Sequence, residues 1–154
     1  MKVPLLDLNA QHQPIRKDLL SALERVLDKG DFILGSEVKR LEEQVATYCQ
    51  TQYGVGVSSG TDALLVAAMA LGIGHGDEVI TTSFSFFATA AIISRLGAKP
   101  VFVDIDPVTF NLDPEKVEKA ITSKTRAIIP VHLYGQCADM EPILAMAAKH
   151  GVSV

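Results

Sequence analysis

Val55-Gly56-Val57-Ser58-Ser59-Gly60-Thr61-Asp62-Ala63-Leu64 passes from a β-branched run, through a turn of small residues, straight into a helical pattern. That passage decides the fold class. A strand that ends in a glycine turn and a helix that starts at once form the first step of a β-α alternation, and the rest of the chain repeats it. Strands are expected at 55–58, 78–82, 101–104 and 127–131, and a last one opens at Val152. Between them, helices are expected at 61–71, 86–96, 114–121 and 140–150. Alternation of this kind builds a mostly parallel sheet sandwiched by helices, an α/β fold.

Upstream the pattern is helical. Ile15, Leu19, Leu20, Leu23, Val26 and Leu27 recur at helical spacing between Gln11 and Lys29, and Gly30 follows as a stop. Ser36 is expected to cap a second helix, with Val38, Leu41, Val45 and Tyr48 on one face. The link between the two, Asp31-Phe32-Ile33-Leu34-Gly35, is apolar and needs a cover. The expected organisation is an N-terminal helical segment, 1–53, packing on the first part of a larger α/β domain, 54–154. The end, Gly151-Val152-Ser153-Val154, reads as the first half of a buried strand, so the chain is expected to stop within a strand.

Composition narrows the function classes. The 154 residues carry a formal net charge of -4, with acidic and basic residues interspersed, which excludes the basic stripe of a nucleic-acid binder. The start, from Met1 to Asp7, meets a proline and an acid before any apolar stretch of signal-peptide length, and no later run suits a membrane span. A cytoplasmic protein is expected. Cys49 and Cys137 are too few and too far apart for a disulfide framework and are expected to be buried thiols. Lys99, Lys116, Lys124 and Lys149 are expected on the solvated surface.

Three segments carry candidate chemistry. At Ser59-Gly60-Thr61, a glycine lets the backbone approach a ligand and the first N–H groups of a helix lack intrahelical partners. The helix dipole favours an anion there. Ser59 or Thr61 acting only as a helix cap is the plain alternative, because the turn matches neither the Walker pattern nor the dinucleotide fingerprint. Phe86, just beyond the second strand, is placed either to stack on a planar cofactor or to fill the core with Phe84 and Phe87. His132 closes another strand at the same edge, as a ligand contact or as a satisfied structural histidine. Asp104 and Asp106, beside Pro107, read as turn residues, and Asn111 or Asp113 as the cap before Pro114.

Taken together, these segments resemble the DegT/StrS family of sugar aminotransferases, of the aspartate-aminotransferase (PLP fold type I) class. The match begins at Val3-Pro4-Leu5-Leu6-Asp7-Leu8 and at Phe32-Ile33-Leu34-Gly35 with Glu37. It continues through Ser59 to Leu64, Gly76 to Ile80, Phe86 to Ala90, Gly97 to Val101 and Val131-His132-Leu133-Tyr134-Gly135. The resemblance implies pyridoxal 5'-phosphate (PLP) as cofactor, its phosphate held by Gly60 and Thr61 and its ring stacked on Phe86. This replaces the core reading of that phenylalanine. It places Phe32, Gly35 and His132 near the substrate, and it implies a homodimer.

The implied reaction moves an amino group from an amino acid, glutamate by expectation, to a nucleotide-linked keto-sugar. The stretch from Tyr134 to Met140 points towards UDP-linked substrates of surface-polysaccharide synthesis. The family also uses an acid at the pyridine nitrogen and a Schiff-base lysine. Both are expected beyond Val154, so this chain has no catalytic residue of that kind and is expected to be inactive alone. The alternatives are a pyridoxamine-phosphate-dependent sugar dehydratase of the same family and a non-catalytic phosphate-binding remnant. A Rossmann oxidoreductase lacks its glycine fingerprint here.

Overall fold

A computed structural model describes residues 3–154. Met1 and Lys2, on which the reading of the start partly rests, lie outside them. The chain divides into two compact units between Gly56 and Val57.

In the first unit, α1 (Leu8–His12) and α2 (Arg16–Lys29) stand where one helix was expected from Gln11. Pro14 lies in the break, consistent with its missing N–H and its steric demand on the preceding turn. Gly30, at φ 65°, ends α2 in the left-handed region. The helix α3 (Ser36–Tyr48) follows, and its cap is not Ser36. Ser36 is the first helical residue, and its N–H donates to Asp31 Oδ2 at 2.9 Å, while its hydroxyl accepts from Lys29 Nζ. An aspartate five residues upstream does the capping because the intervening loop folds back tightly. A Cβ at Gly35 would stand 2.3 Å from the Asp31 carbonyl oxygen, so only glycine fits that approach.

The stretch 55–58 is not a strand. Val55 is exposed, and none of the described residues offers it a ladder. The backbone here is instead engaged by α3, with the Gly56 N–H donating to Glu42 Oε1 at 2.7 Å. The β-branched pattern made the segment extended, but a strand also needs a partner.

The second unit keeps the alternation: α4 (Gly60–Ala70), β1 (Glu78–Thr81), α5 (Ala88–Arg95), β2 (Lys99–Phe102), α6 (Pro114–Ala120), β3 (Thr125–Ile128) and α7 (Met140–His150). The three strands are parallel in the order β2-β1-β3. Ser153 adds a parallel bridge to Ala127, on the side where the last strand was expected. Side chains leave a strand alternately to its two faces, and both faces are covered. Ile80 and Ile128 pack with Val117 of α6 and Ile143, Met146 and Ala147 of α7. Val79 and Ala127 pack with Ala68 of α4 and Ile92 and Ile93 of α5. Burial on both sides explains why the strands read as apolar runs and not as alternation.

Polar ties fix the amino-terminal edge of the sheet. Glu78 is buried, accepts from the Thr122 hydroxyl at 2.7 Å and pairs with Lys99 Nζ at 3.0 Å. Lys99, Lys116, Lys124 and Lys149 are exposed, as expected. Cys49 and Cys137 are exposed too, against expectation. Cys49 caps the end of α3 and Cys137 lies in a loop, so neither occupies an element interior.

Candidate cofactor and substrate site

Ser59 caps α4 with extended backbone, and its Oγ accepts from the Asp62 N–H at 3.1 Å. The Ala63 N–H goes to the Ser59 carbonyl. The N–H groups of Gly60 and Thr61 are left without a partner among the described residues. A Cβ at Gly60 would meet nothing within 4 Å, so the turn opens onto free space. Two unpartnered donors, the positive end of an 11-residue helix and an open approach meet the demands of a phosphate. The Ser59 cap and the anion site are therefore compatible, since they use different N–H groups.

The Asp62 carboxylate is engaged by the two serines that precede the helix. The Ser58 hydroxyl, and then that of Ser59, donate to it and hold its carboxyl below the usual range. The serines thus hold the Asp62 carboxylate ionised in the first turn of α4.

Because the strands are parallel, the links that follow them leave from one edge, where open α/β sheets bind ligands. Beyond β1, Thr82 Oγ1 accepts from the Phe84 N–H and tightens the turn that carries Phe86. Phe86 is 76% exposed, which removes it from the core and leaves its ring free to stack. Beyond β3, His132 is exposed, and its Nδ1 accepts from the Ala138 N–H at 3.0 Å. That bond requires the neutral ring to carry its proton on Nε2. Ser83, Phe84 and Ser85 line a shallow cavity together with Leu133 and Tyr134, so the two links meet.

The structure thus brings Phe86 and His132 to one edge. Gly60 and Thr61 begin a helix packed on α5, which itself starts directly after the Phe86 link. Phe32 and Gly35 belong to the other unit, where Phe32, Ile33 and Leu34 are exposed and Gly35 precedes α3. Asp106 is a turn residue as expected, accepting from the N–H groups of Val108 and Thr109. Asp113 caps α6 through the Glu115 N–H.

Asn111 is the residue that sequence reasoning missed. It caps nothing. It is 3% exposed, and it donates to the carbonyls of Gln136 and Cys137 and accepts from the Leu133 N–H. The sequence offers it only as a cap before Pro114, and partners more than twenty positions away leave no local trace.

Comparison with known proteins gives the chain its relatives. A model of the DegT/DnrJ/EryC1/StrS aminotransferase family matches residues 13–154. A pleiotropic regulatory protein of Geobacillus stearothermophilus is 56% identical over all of the chain and 41% of its own length. The UDP-2-acetamido-2-deoxy-3-oxo-D-glucuronate aminotransferase of Pseudomonas aeruginosa is 50% identical over 99% of the chain and 42% of its own. Among solved structures, DesV of S. venezuelae in complex with a ketimine intermediate superposes with a TM-score of 0.95 at 47% identity, over 98% of the chain and 41% of DesV. The ntda protein of Bacillus subtilis, with bound cofactor PMP, gives 0.94 at 40% identity, over 98% of the chain and 35% of that protein. The chain spans about two fifths of the length of these curated relatives.

Proposed function

Because the chain belongs to the DegT/DnrJ/EryC1/StrS aminotransferase family, we propose that the whole protein transfers an amino group to a nucleotide-linked keto-sugar, with PLP as cofactor. The amino donor in this reading is glutamate, and the working unit is a homodimer in the cytoplasm. Bound PLP supplies the electron sink that lets an amino group pass between donor and acceptor.

The observation that carries the reading is the first turn of α4. It combines two unpartnered N–H groups with open space at Gly60, as a phosphate requires. The Gly60 and Thr61 amides hold the phosphate, and the Thr61 hydroxyl adds a third donor. Phe86 offers a flat exposed face to the pyridine ring, and His132 offers its Nε2–H towards the substrate. Phe32 and Gly35 are assigned to the substrate side. The Pseudomonas relative, named for a UDP-linked 3-oxo-sugar, supports a UDP-linked acceptor.

The test is direct. The whole protein, loaded with PLP, is given glutamate and a UDP-linked 3-keto-sugar, and 2-oxoglutarate is followed. Release of 2-oxoglutarate in equal amount with the amino-sugar supports the proposal. No exchange with this or a dTDP-linked acceptor, from a protein that holds PLP fully, refutes it.

A further inference from the structure

Seven residues, His132 to Ala138, form a closed ring of chain. The ends are joined by the Ala138 N–H to His132 Nδ1 bond at 3.0 Å. The middle is filled from outside by one side chain. Asn111 Nδ2 donates to the carbonyls of Gln136 at 3.3 Å and Cys137 at 3.1 Å, and Asn111 Oδ1 accepts from the Leu133 N–H at 3.1 Å. Both ends of the carboxamide are engaged, and the residue is buried. Within the ring Tyr134 is held at φ 54°, a left-handed conformation that costs an aromatic residue energy and persists only where its surroundings impose it. Outside the ring, the Phe110 ring stands edge-on to Tyr134 at 6.1 Å and 5.9 Å from Phe84, two positions before Phe86.

We propose that Asn111 is a positioning residue: its carboxamide locks the 132–138 ring and so fixes His132 as a neutral Nε2–H donor at the carboxyl edge of the sheet. This rests on the proposed function only where it places His132 beside the substrate. The lock itself is a property of the chain. Without Asn111, three bonds are lost, the turn at Tyr134 keeps only the Gln136 N–H to Leu133 carbonyl bond and the Phe110 edge contact, and the Ala138 N–H leaves Nδ1. The imidazole then exchanges its proton between both nitrogens and turns freely.

The experiment compares the whole protein with Asn111→Ser by imidazole ¹⁵N spectra and by amide hydrogen exchange. The expected result is a single Nε2–H signature for His132 in the unaltered protein, replaced by a tautomer mixture in the variant. The Leu133 and Ala138 amides should exchange at least roughly tenfold faster in the variant, while those of β1 and β3 keep their protection. With a keto-sugar acceptor, the KM for the sugar should rise by roughly threefold or more at unchanged PLP occupancy. A residue that only stabilises the fold would speed all amides together and leave the tautomer single, and that result overturns the proposal.

If Asn111→Ser does not fold, the unaltered protein still decides. Leu133 and Ala138 amides that exchange as fast as an open chain, or a His132 ring protonated on Nδ1, refute the lock. Absence of any transamination would count against the proposed function alone, because the tautomer and exchange measurements need no substrate.

Discussion

Replacing Gly60 with alanine should make the protein more stable and a poorer binder of PLP. The backbone at Gly60 lies outside the left-handed region, in the first turn of α4, and an added Cβ meets no atom within 4 Å. Alanine therefore brings no clash and restricts the unfolded chain, which is worth about 0.4–1 kcal/mol in favour of folding. In the proposed reading, the same Cβ takes up part of the open space beside the Gly60 and Thr61 N–H groups that the phosphate would use. A charge-assisted hydrogen bond contributes roughly 1.5–3 kcal/mol, so the weakening of one corresponds to about tenfold to a hundredfold in the dissociation constant. Urea unfolding of the apo-protein and an absorbance titration with PLP measure the two effects separately. Apo-stability lowered by more than about 1 kcal/mol would show that the space is not free. Unchanged affinity with raised stability would show that the phosphate does not bind there.

The opposite outcome is expected at Gly35, where the backbone angles tolerate alanine but the Cβ would stand 2.3 Å from the Asp31 carbonyl oxygen. Gly35→Ala should cost about 1–3 kcal/mol in urea unfolding and speed exchange of the Ser36 amide that Asp31 caps; an unchanged midpoint would refute the tight loop. Ile80→Ala, at a fully buried position between β1 and the α6–α7 layer, should cost about 2–5 kcal/mol by the same assay. Acid should weaken the sheet edge at Glu78, whose carboxyl the Thr122 hydroxyl, and then Lys99, hold below its ordinary value. A carboxyl with a lower pKa folded than unfolded stabilises above the unfolded value, and that stability is lost as the pH falls through the folded one. Urea midpoints taken from about pH 6 down to pH 3 should therefore fall more steeply for the unaltered protein than for Glu78→Gln.

The parts of this fold legible in the sequence are those set by local rules. Gly30 stops α2, Asp113 caps α6 ahead of Pro114, and the apolar runs at 78–82 and 127–131 announce two strands buried on both faces, the second of which lies earlier than expected, at Thr125–Ile128. The misreadings at 55–58 and Ser36 share one physical origin, which is that a partner outside the segment decided the outcome. Val55 to Ser58 has the composition of a strand, but a ladder is a property of two segments. Ser36 has the chemistry of a cap, but it stands one residue inside the helix: Asp31 takes its N–H, and the Val38 and Lys39 N–H groups it would have capped go to the Gly35 carbonyl. Its residues alone leave the Phe86 segment between core and ring stacking, and the 76% exposure of Phe86 fits the stacking that the family resemblance implies.

The candidate site divides along the same line. The phosphate turn is contained in one segment, Ser58 to Asp62, and both its cap and its free donors follow from the order of a few residues. The His132 side of the site is not contained anywhere locally. His132 takes its tautomer from Ala138, six positions on, and the loop between them takes its shape from Asn111, more than twenty positions back. A phosphate needs only N–H groups that a helix start provides wherever it occurs, whereas one imidazole nitrogen aimed in one direction must be held by independent bonds. The two halves should therefore answer differently to substitution. Changes within 58–62 should move cofactor affinity and leave the His132 tautomer as it is, and changes at Asn111 should move sugar recognition while the cofactor stays bound. A variant of Asn111 that lost PLP in step with the sugar would break that division, and with it the argument that the two halves are built separately.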